Sequence, residues 1–134
     1  MLFRSAAAAA TAAGVGARLR LSVGGHAPEW SGDAASQPID AEWRVTAVGD
    51  GRFSETKPRH GGLTSFDQGP TAVLAHDDGL TVMVTSRRMA PFSLEQIRHA
   101  GLDPAAFRAL VSKGVHAPVA AYGEVCREIG RAHV

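Results

Sequence analysis

The stretch Gly69–Arg88, GPTAVLAHDDGLTVMVTSRR, decides the fold. Two β-rich runs, Thr71–Ala75 and Leu80–Thr85, flank Asp77-Asp78-Gly79, and an Asp-Gly pair accepts the positive φ that a tight turn needs. The spacing predicts a hairpin. Both runs are almost continuously apolar, the pattern of strands covered on both faces in the middle of a sheet. The second run stops at Ser86-Arg87-Arg88, which puts two fixed charges and a hydroxyl where ligand-facing loops commonly lie.

Upstream of the hairpin, Ala17–Val23 (ARLRLSV) alternates like a strand and closes at Gly24-Gly25. His26–Gln37, rich in Gly, Pro, Ser and Ala, reads as a loop that contains Trp30. Pro38–Val48 places Ile39, Ala41, Trp43, Val45 and Ala47 against Asp40, Glu42, Arg44 and Thr46, a half-exposed strand. Asp50-Gly51 turns it, and Arg52–Ser54 reads as the start of a return strand. Glu55–Gly69 is long for a simple connection, and such loops are often functional.

Downstream, Ser93-Leu94-Glu95-Gln96 has the form of a capping box, with Ser93 as N-cap and Gln96 reaching back. That helix is expected to run to about Ala100 and end at Gly101, with Asp103-Pro104 opening a second short turn. Arg108–Ser112 reads as a last strand, leading through Lys113-Gly114 into Val115–Arg127, helical at its far end, with Pro118 confined to the first turn. The expected fold is α/β, with α+β as the alternative: a mixed β-sheet built round the central hairpin, with flanking helices.

At 134 residues, 45% of them hydrophobic, the chain can bury one core. Fourteen basic residues against 13 acidic leave a formal charge of +1, so the overall field favours neither nucleic acid nor an anionic membrane. A single cysteine, Cys126, excludes an internal disulfide framework and suits a reducing, cytoplasmic setting. No run approaches the ~18 apolar residues of a membrane-spanning helix.

Both ends stand apart. The alanine tract Ala6–Ala10 and an arginine-bearing, acid-free leader imitate a transit peptide, but alanine makes a weak apolar core and Ala17–Val23 alternates like a folded strand. Met1–Ser5 (MLFRS) and Glu128–Val134 (EIGRAHV) resemble in-frame translations of two opposite sequencing adapters. The natural material is therefore expected to span residues 6–127, a slice of a longer protein. Dropping Arg4, Arg131 and Glu128 leaves basic and acidic residues in equal number. Ala6–Ala13 reads as the tail of a helix, too short to be stable alone.

No metal site is expected, because His26, His60, His76, His99 and His116 form no H-x-H, H-x-x-x-H or H-E-x-x-H pair. Ser86 lacks a G-x-S-x-G setting, Cys126 has no visible partners, and Gly61-Gly62 opens no phosphate loop. Two constellations remain. Arg87 and Arg88 form a fork that could clamp a carboxylate, or they are solvated caps of a strand. Lys113 and His116 sit at an expected strand-to-helix junction where amides, an ammonium and an imidazole can converge on an anion; the plainer reading is a surface lysine and a packed histidine.

The order GGH, QPIDAEWRV, DGRF, GGLTSFDQGPTAVLAHDDGLTVMVTSRR, GLDPAAFRALVSKGVHAP resembles the C-terminal domain of the MlrC family, the microcystin-degradation proteins and their relatives. The resemblance covers about Ala12 to Cys126. Its most specific parts are the G-x-TAVL hairpin with VTSRR, the GLDP step, and Lys113 followed by His116. Gly114 stands where the family usually has a serine, and a strand expected beyond Cys126 is missing. The resemblance implies a partner N-terminal metallopeptidase domain carrying the zinc ligands, a small peptide or amide substrate, and no zinc on this piece, which alone would be inactive. Arg87, Arg88, Lys113 and His116 are the residues it offers for substrate carboxylates. Nucleic acid and membrane are not implied, and a homo-oligomer is left open. The competing reading is a non-catalytic domain that binds a small anion or mediates oligomerisation.

Overall fold

In a computed structural model, residues 2–25, 37–57, 61–114 and 116–130 are described. Helix α1 (Leu2–Ala13) is followed by strands β1 (Arg18–Val23) and β2 (Ile39–Gly49). A short ribbon of β3 (Arg52–Ser54) and β4 (Ser65–Asp67) comes next, then the hairpin of β5 (Thr71–Ala75) and β6 (Thr81–Thr85). The chain ends with α2 (Glu95–Arg98), a 3₁₀ turn at Pro104–Ala106 and α3 (Ala117–Tyr122). The main sheet has the order β1-β2-β5-β6, and β3 pairs with β4 in a second sheet. Every described pairing is antiparallel, which puts the expected α/β or α+β class at its α+β end. No helix among the described residues is long and apolar enough to cross a membrane.

The hairpin forms where its sequence predicts. Asp78 Oδ1 accepts from Leu80 N at 3.0 Å, His76 N donates to Leu80 O at 2.8 Å, and Gly79 takes φ +95°. β5 is buried on both faces: Ala72 and Leu74 join the core under α1, while Thr71 and Val73 are buried without joining it. β6 departs from the expectation. It is an edge strand, and of its five residues only Val84 is fully buried.

α1 lies across all four strands of one sheet face, where Ala6, Ala7 and Ala10 are buried against Trp43, Val45, Leu74 and Val84. Small side chains let the helix approach the sheet closely, so the alanine tract is a packing surface. Trp43 is fully buried, and its indole Nε1–H donates to Leu21 O at 3.1 Å. The exposed face carries Arg18–Glu42 and Arg20–Asp40 pairs at 3.0 Å, solvated cross-strand contacts of small energetic weight.

β2 alternates as predicted until Thr46, where the register on β5 slips: Val45 faces Leu74, but Ala47 faces Val73. The extra residue is a β-bulge, and it moves Ala47 off the apolar face that strict alternation would give it. Arg52–Ser54 does not return along β2, whose two edges are already taken by β1 and β5. It pairs instead with Ser65–Asp67, so part of the long Glu55–Gly69 connection is a strand.

A second small core joins Leu94, Ala121 and Tyr122, with Ile97, Leu110, Val125 and Cys126 packed on it. Burial pushes the Tyr122 phenol up, against the opposing effect of its hydrogen bond with Ser112. The expected capping box is not made, because the N-cap of α2 is Leu94, which has no capping side chain. Ser93 Oγ accepts from Glu95 N at 2.9 Å, but Gln96 turns inward and donates to Gln68 Oε1 at 2.9 Å. Asp103 caps the 3₁₀ turn by accepting from Ala105 N at 3.0 Å. Arg108–Ser112 is not a strand. Val111 is 99% exposed, and the segment meets the second core through Leu110 and through the Ser112–Tyr122 hydrogen bond. α3 has Pro118 in its first turn, as expected, and ends at Tyr122 ahead of Gly123. The predicted loop around Trp30 falls on 26–36, outside the described residues.

Candidate functional site

The end of β6 is docked by the three residues that precede β5. Ser86 N donates to Pro70 O and Arg87 N to Gln68 O, both at 3.0 Å, extending the ladder past the last paired residues. Gly69 has no room for a side chain, since a Cβ there would run into Ser86 Oγ and lie 3.2 Å from Arg87 Cγ. Asp67 completes the corner: Oδ1 accepts from Gly69 N at 2.8 Å and Oδ2 from Arg87 Nη1 at 2.7 Å. Arg52 reaches the same Oδ2 through Nε at 3.6 Å. Two guanidiniums therefore share one carboxylate.

Beneath this corner lies a polar network. Gln68 is fully buried, accepts from Gln96 Nε2 and sits with its own Nε2 3.4 Å from His99 Nε2. His99 Nδ1 lies 3.2 Å from the Glu95 carbonyl, so Nδ1 carries the proton and Nε2 accepts. Phe53 stacks on His99 with ring centroids 5.0 Å apart. Both the oxygen and the nitrogen of the Gln68 amide thus have partners, which is what allows a glutamine to be buried here.

The Gly69 amide above all, with the Arg87 and Arg52 charges, holds the Asp67 carboxyl below the ordinary aspartate range, against a smaller opposing effect of desolvation. Folding therefore favours the ionised form. Its contribution is complete above the unfolded value of about 3.9 and is lost as pH falls through the lower folded value. Urea unfolding of the wild type and Asp67→Asn is expected to show a stability gap at pH 7 that narrows as the solution is acidified below the ordinary aspartate range. A gap that stays constant across that range would contradict the Asp67 geometry.

Arg88 is exposed and makes no ion pair among the described residues. Lys113 is exposed on irregular chain, and His116 is the exposed residue before α3, so the junction is loop-to-helix and not strand-to-helix. Gly114 lies against Pro91 and Pro118: a Cβ on it would be 3.0 Å from both Pro91 Cγ and Pro118 Cδ. A serine at this position would need that packing to give by a few tenths of an ångström. A separate cavity of about 220 Å³ opens between the start of the β3–β4 loop and α2, lined by Glu55, Lys57, Ser93, Glu95, Arg98 and Glu124 among others.

Residues 2–133 match the family model described as MlrC C-terminus. The chain belongs to the MlrC C-terminal family. No curated protein matches it. The family match takes in the hairpin, the VTSRR end of β6 and the Lys113–His116 corner. Sequence reasoning on this MlrC C-terminal chain missed Arg52, and it pointed to the Glu55–Gly69 connection without singling out Asp67 or Gln68. Asp67-Gln68-Gly69-Pro70 did carry a signal, an aspartate two residues before a glycine, which forms a local side-chain turn. Nothing in the sequence shows that Arg52 faces Asp67, because that follows from the β3–β4 register.

Proposed function

We propose that this chain is the C-terminal domain of an MlrC-like zinc-dependent hydrolase acting on peptide or amide bonds, where it shapes the cleft and holds substrate carboxylates. Family membership supports the reading, and the observation that carries the local role is the strand-end corner. Arg87 is fixed by Asp67, and Arg88 follows it, exposed, on a backbone pinned by Pro70 and Gln68. A guanidinium held there can form charge-assisted, paired hydrogen bonds to a carboxylate. Lys113 and His116 would add a second cation and a ring donor if the bound substrate reaches them.

Among the described residues no group of three or more His, Cys, Asp and Glu side chains is placed to hold a metal ion. The role assigned to this domain rests on its own side chains. The partner domain would hold the zinc and perform the cleavage.

Sequencing the source locus outward past Ala6 and Arg127 tests the reading first. An upstream frame carrying metal-ligating Glu, Asp and His is expected; a frame that starts at Met1 and stops after Val134 would overturn it and favour a stand-alone anion-binding domain. In the two-domain enzyme, Arg88→Ala is expected to raise KM about tenfold for a substrate with a free carboxylate, with kcat unchanged. An unchanged KM would remove Arg88 from the site.

A further inference from the structure

The β3–β4 ribbon has two unlike faces. Its register pairs Arg52 with Asp67, Phe53 with Phe66 and Ser54 with Ser65. Directly opposed residues share a face and successive residues alternate, so Arg52, Ser54, Ser65 and Asp67 lie on one side and the two phenylalanines on the other. Phe53 and Phe66 stack on each other with centroids 5.0 Å apart, and Phe53 is buried. An open trough of about 440 Å³ runs along the ribbon, lined by Arg52, Ser54, Ser65 and Asp67 together with Phe53 and Phe66.

We propose that this outer ribbon face, joined by Arg87 from the end of β6, is an oxyanion-binding site that takes the carboxylate or phosphate group of a small ligand. Asp67 is its internal counter-ion. One oxygen of that carboxylate is taken up by Gly69 N, and the other receives Arg52 through Nε and Arg87 through Nη1. Two guanidiniums against one carboxylate leave one net positive charge. Each also keeps donors that Asp67 does not use: both Nη groups of Arg52, and Nη2 and Nε of Arg87. The hydroxyls of Ser54 and Ser65, a directly opposed pair on the same face, add two neutral donors. A planar fork beside hydroxyl donors matches the geometry of carboxylate and phosphate oxygens. The side chains of Arg52 and Arg87 are 73% and 62% exposed, so the guanidiniums are open to a ligand and binding is salt-sensitive.

The proposal extends the carboxylate-holding role given to Arg87 above, adding Arg52, Ser54 and Ser65, and its test does not need a hydrolase domain. The full chain, labelled with ¹⁵N, is titrated with inorganic phosphate and separately with succinate at ionic strength held constant by sodium chloride. Saturable shifts are expected at the Ser54, Ser65 and Asp67 amides and at the Nε–H of Arg52 and Arg87. Tighter binding of phosphate assigns the site to phosphorylated ligands, and tighter binding of succinate to carboxylates.

Arg52→Ala is expected to weaken binding about tenfold, and Arg52→Lys nearly as much, because lysine keeps the charge and loses the fork. Arg52→Lys also guards against a loss caused by misfolding. Shifts that rise linearly without saturating, or that are the same in the wild type and both variants, would overturn the proposal. That failure would leave the locus and kinetic tests of the hydrolase reading untouched.

Discussion

Replacing Gly51 by alanine is expected to unfold a large share of the molecule at moderate temperature. Gly51 is buried at φ +75°, where an L-residue is disfavoured by about 1–2 kcal/mol. The larger cost is steric. A Cβ there would overlap the Gly69 carbonyl oxygen and lie 2.7 Å from Thr71 Oγ1 and 2.9 Å from Gln68 Cγ. The Gly69 carbonyl cannot retreat easily, because it accepts from Thr71 Oγ1 at 2.8 Å and Gly51 O itself accepts from Gln68 N at 3.0 Å. A total loss above about 3 kcal/mol places the substitution in the severe class, and for a domain of this size Tm is expected to fall by roughly 10 °C. Gly62→Ala is the control. Gly62 also has positive φ, +71°, but a Cβ there would meet no atom within 4 Å, so it should lose only the conformational part. Equal melting temperatures for the two variants would mean that the ribbon does not seat against the start of β5 as described.

The second large effect is expected at Trp43. The ring is fully buried under α1, donates to Leu21 O and meets the His76 ring edge-on at a centroid distance of 5.6 Å. Truncation to alanine removes the largest side chain of the main core and with it the indole N–H that donates to Leu21 O on the neighbouring strand. Losses of about 3–5 kcal/mol are typical for such a change, against a total stability of about 5–15 kcal/mol for a domain. Trp43→Phe keeps most of the packing but not the N–H, and should fall between. Urea midpoints at neutral pH read both. A loss below about 1 kcal/mol for Trp43→Ala would be incompatible with a filled core at this position.

Trp43 and the hairpin also show why parts of this fold are legible in its sequence. Strict alternation through Pro38–Val45 announces which side of β2 is covered, and Asp77-Asp78-Gly79 fixes a local turn whose hydrogen bonds lie within a few residues. Other features depend on distant partners. The apolar run of β6 is the same whether the strand is central or at an edge, and sheet order is decided by which strands reach β2 first in space. Gln96 is a good reciprocal cap in isolation, but a buried Gln68 carbonyl oxygen outcompetes it. Arg108–Ser112 has strand-like composition, yet it pairs with none of the described strands.

The site divides in the same way. The charges at Arg87 and Arg88 stand at a recognisable strand end, whereas the carboxylate that orients one of them arrives from residue 67 and the second guanidinium from residue 52. Lys113 and His116 carry no long-range marker in sequence, and their closeness to the 88–92 segment rests on a glycine that packs against Pro91.

The last pair between β2 and β5 joins Gly49 to Thr71, so the chain leaves β2 after residue 49 and is back in the main sheet, one strand spacing away, by residue 71. The ribbon is thus an excursion that the β1-β2-β5-β6 layer does not need for its own closure. In folding, its hairpin can zip locally and shorten the effective loop that the β2–β5 pairing must close, easing the entropy of a long-range contact. A change of length or charge between Ser54 and Ser65 is therefore expected to leave the pairings of the β1-β2-β5-β6 layer as they are.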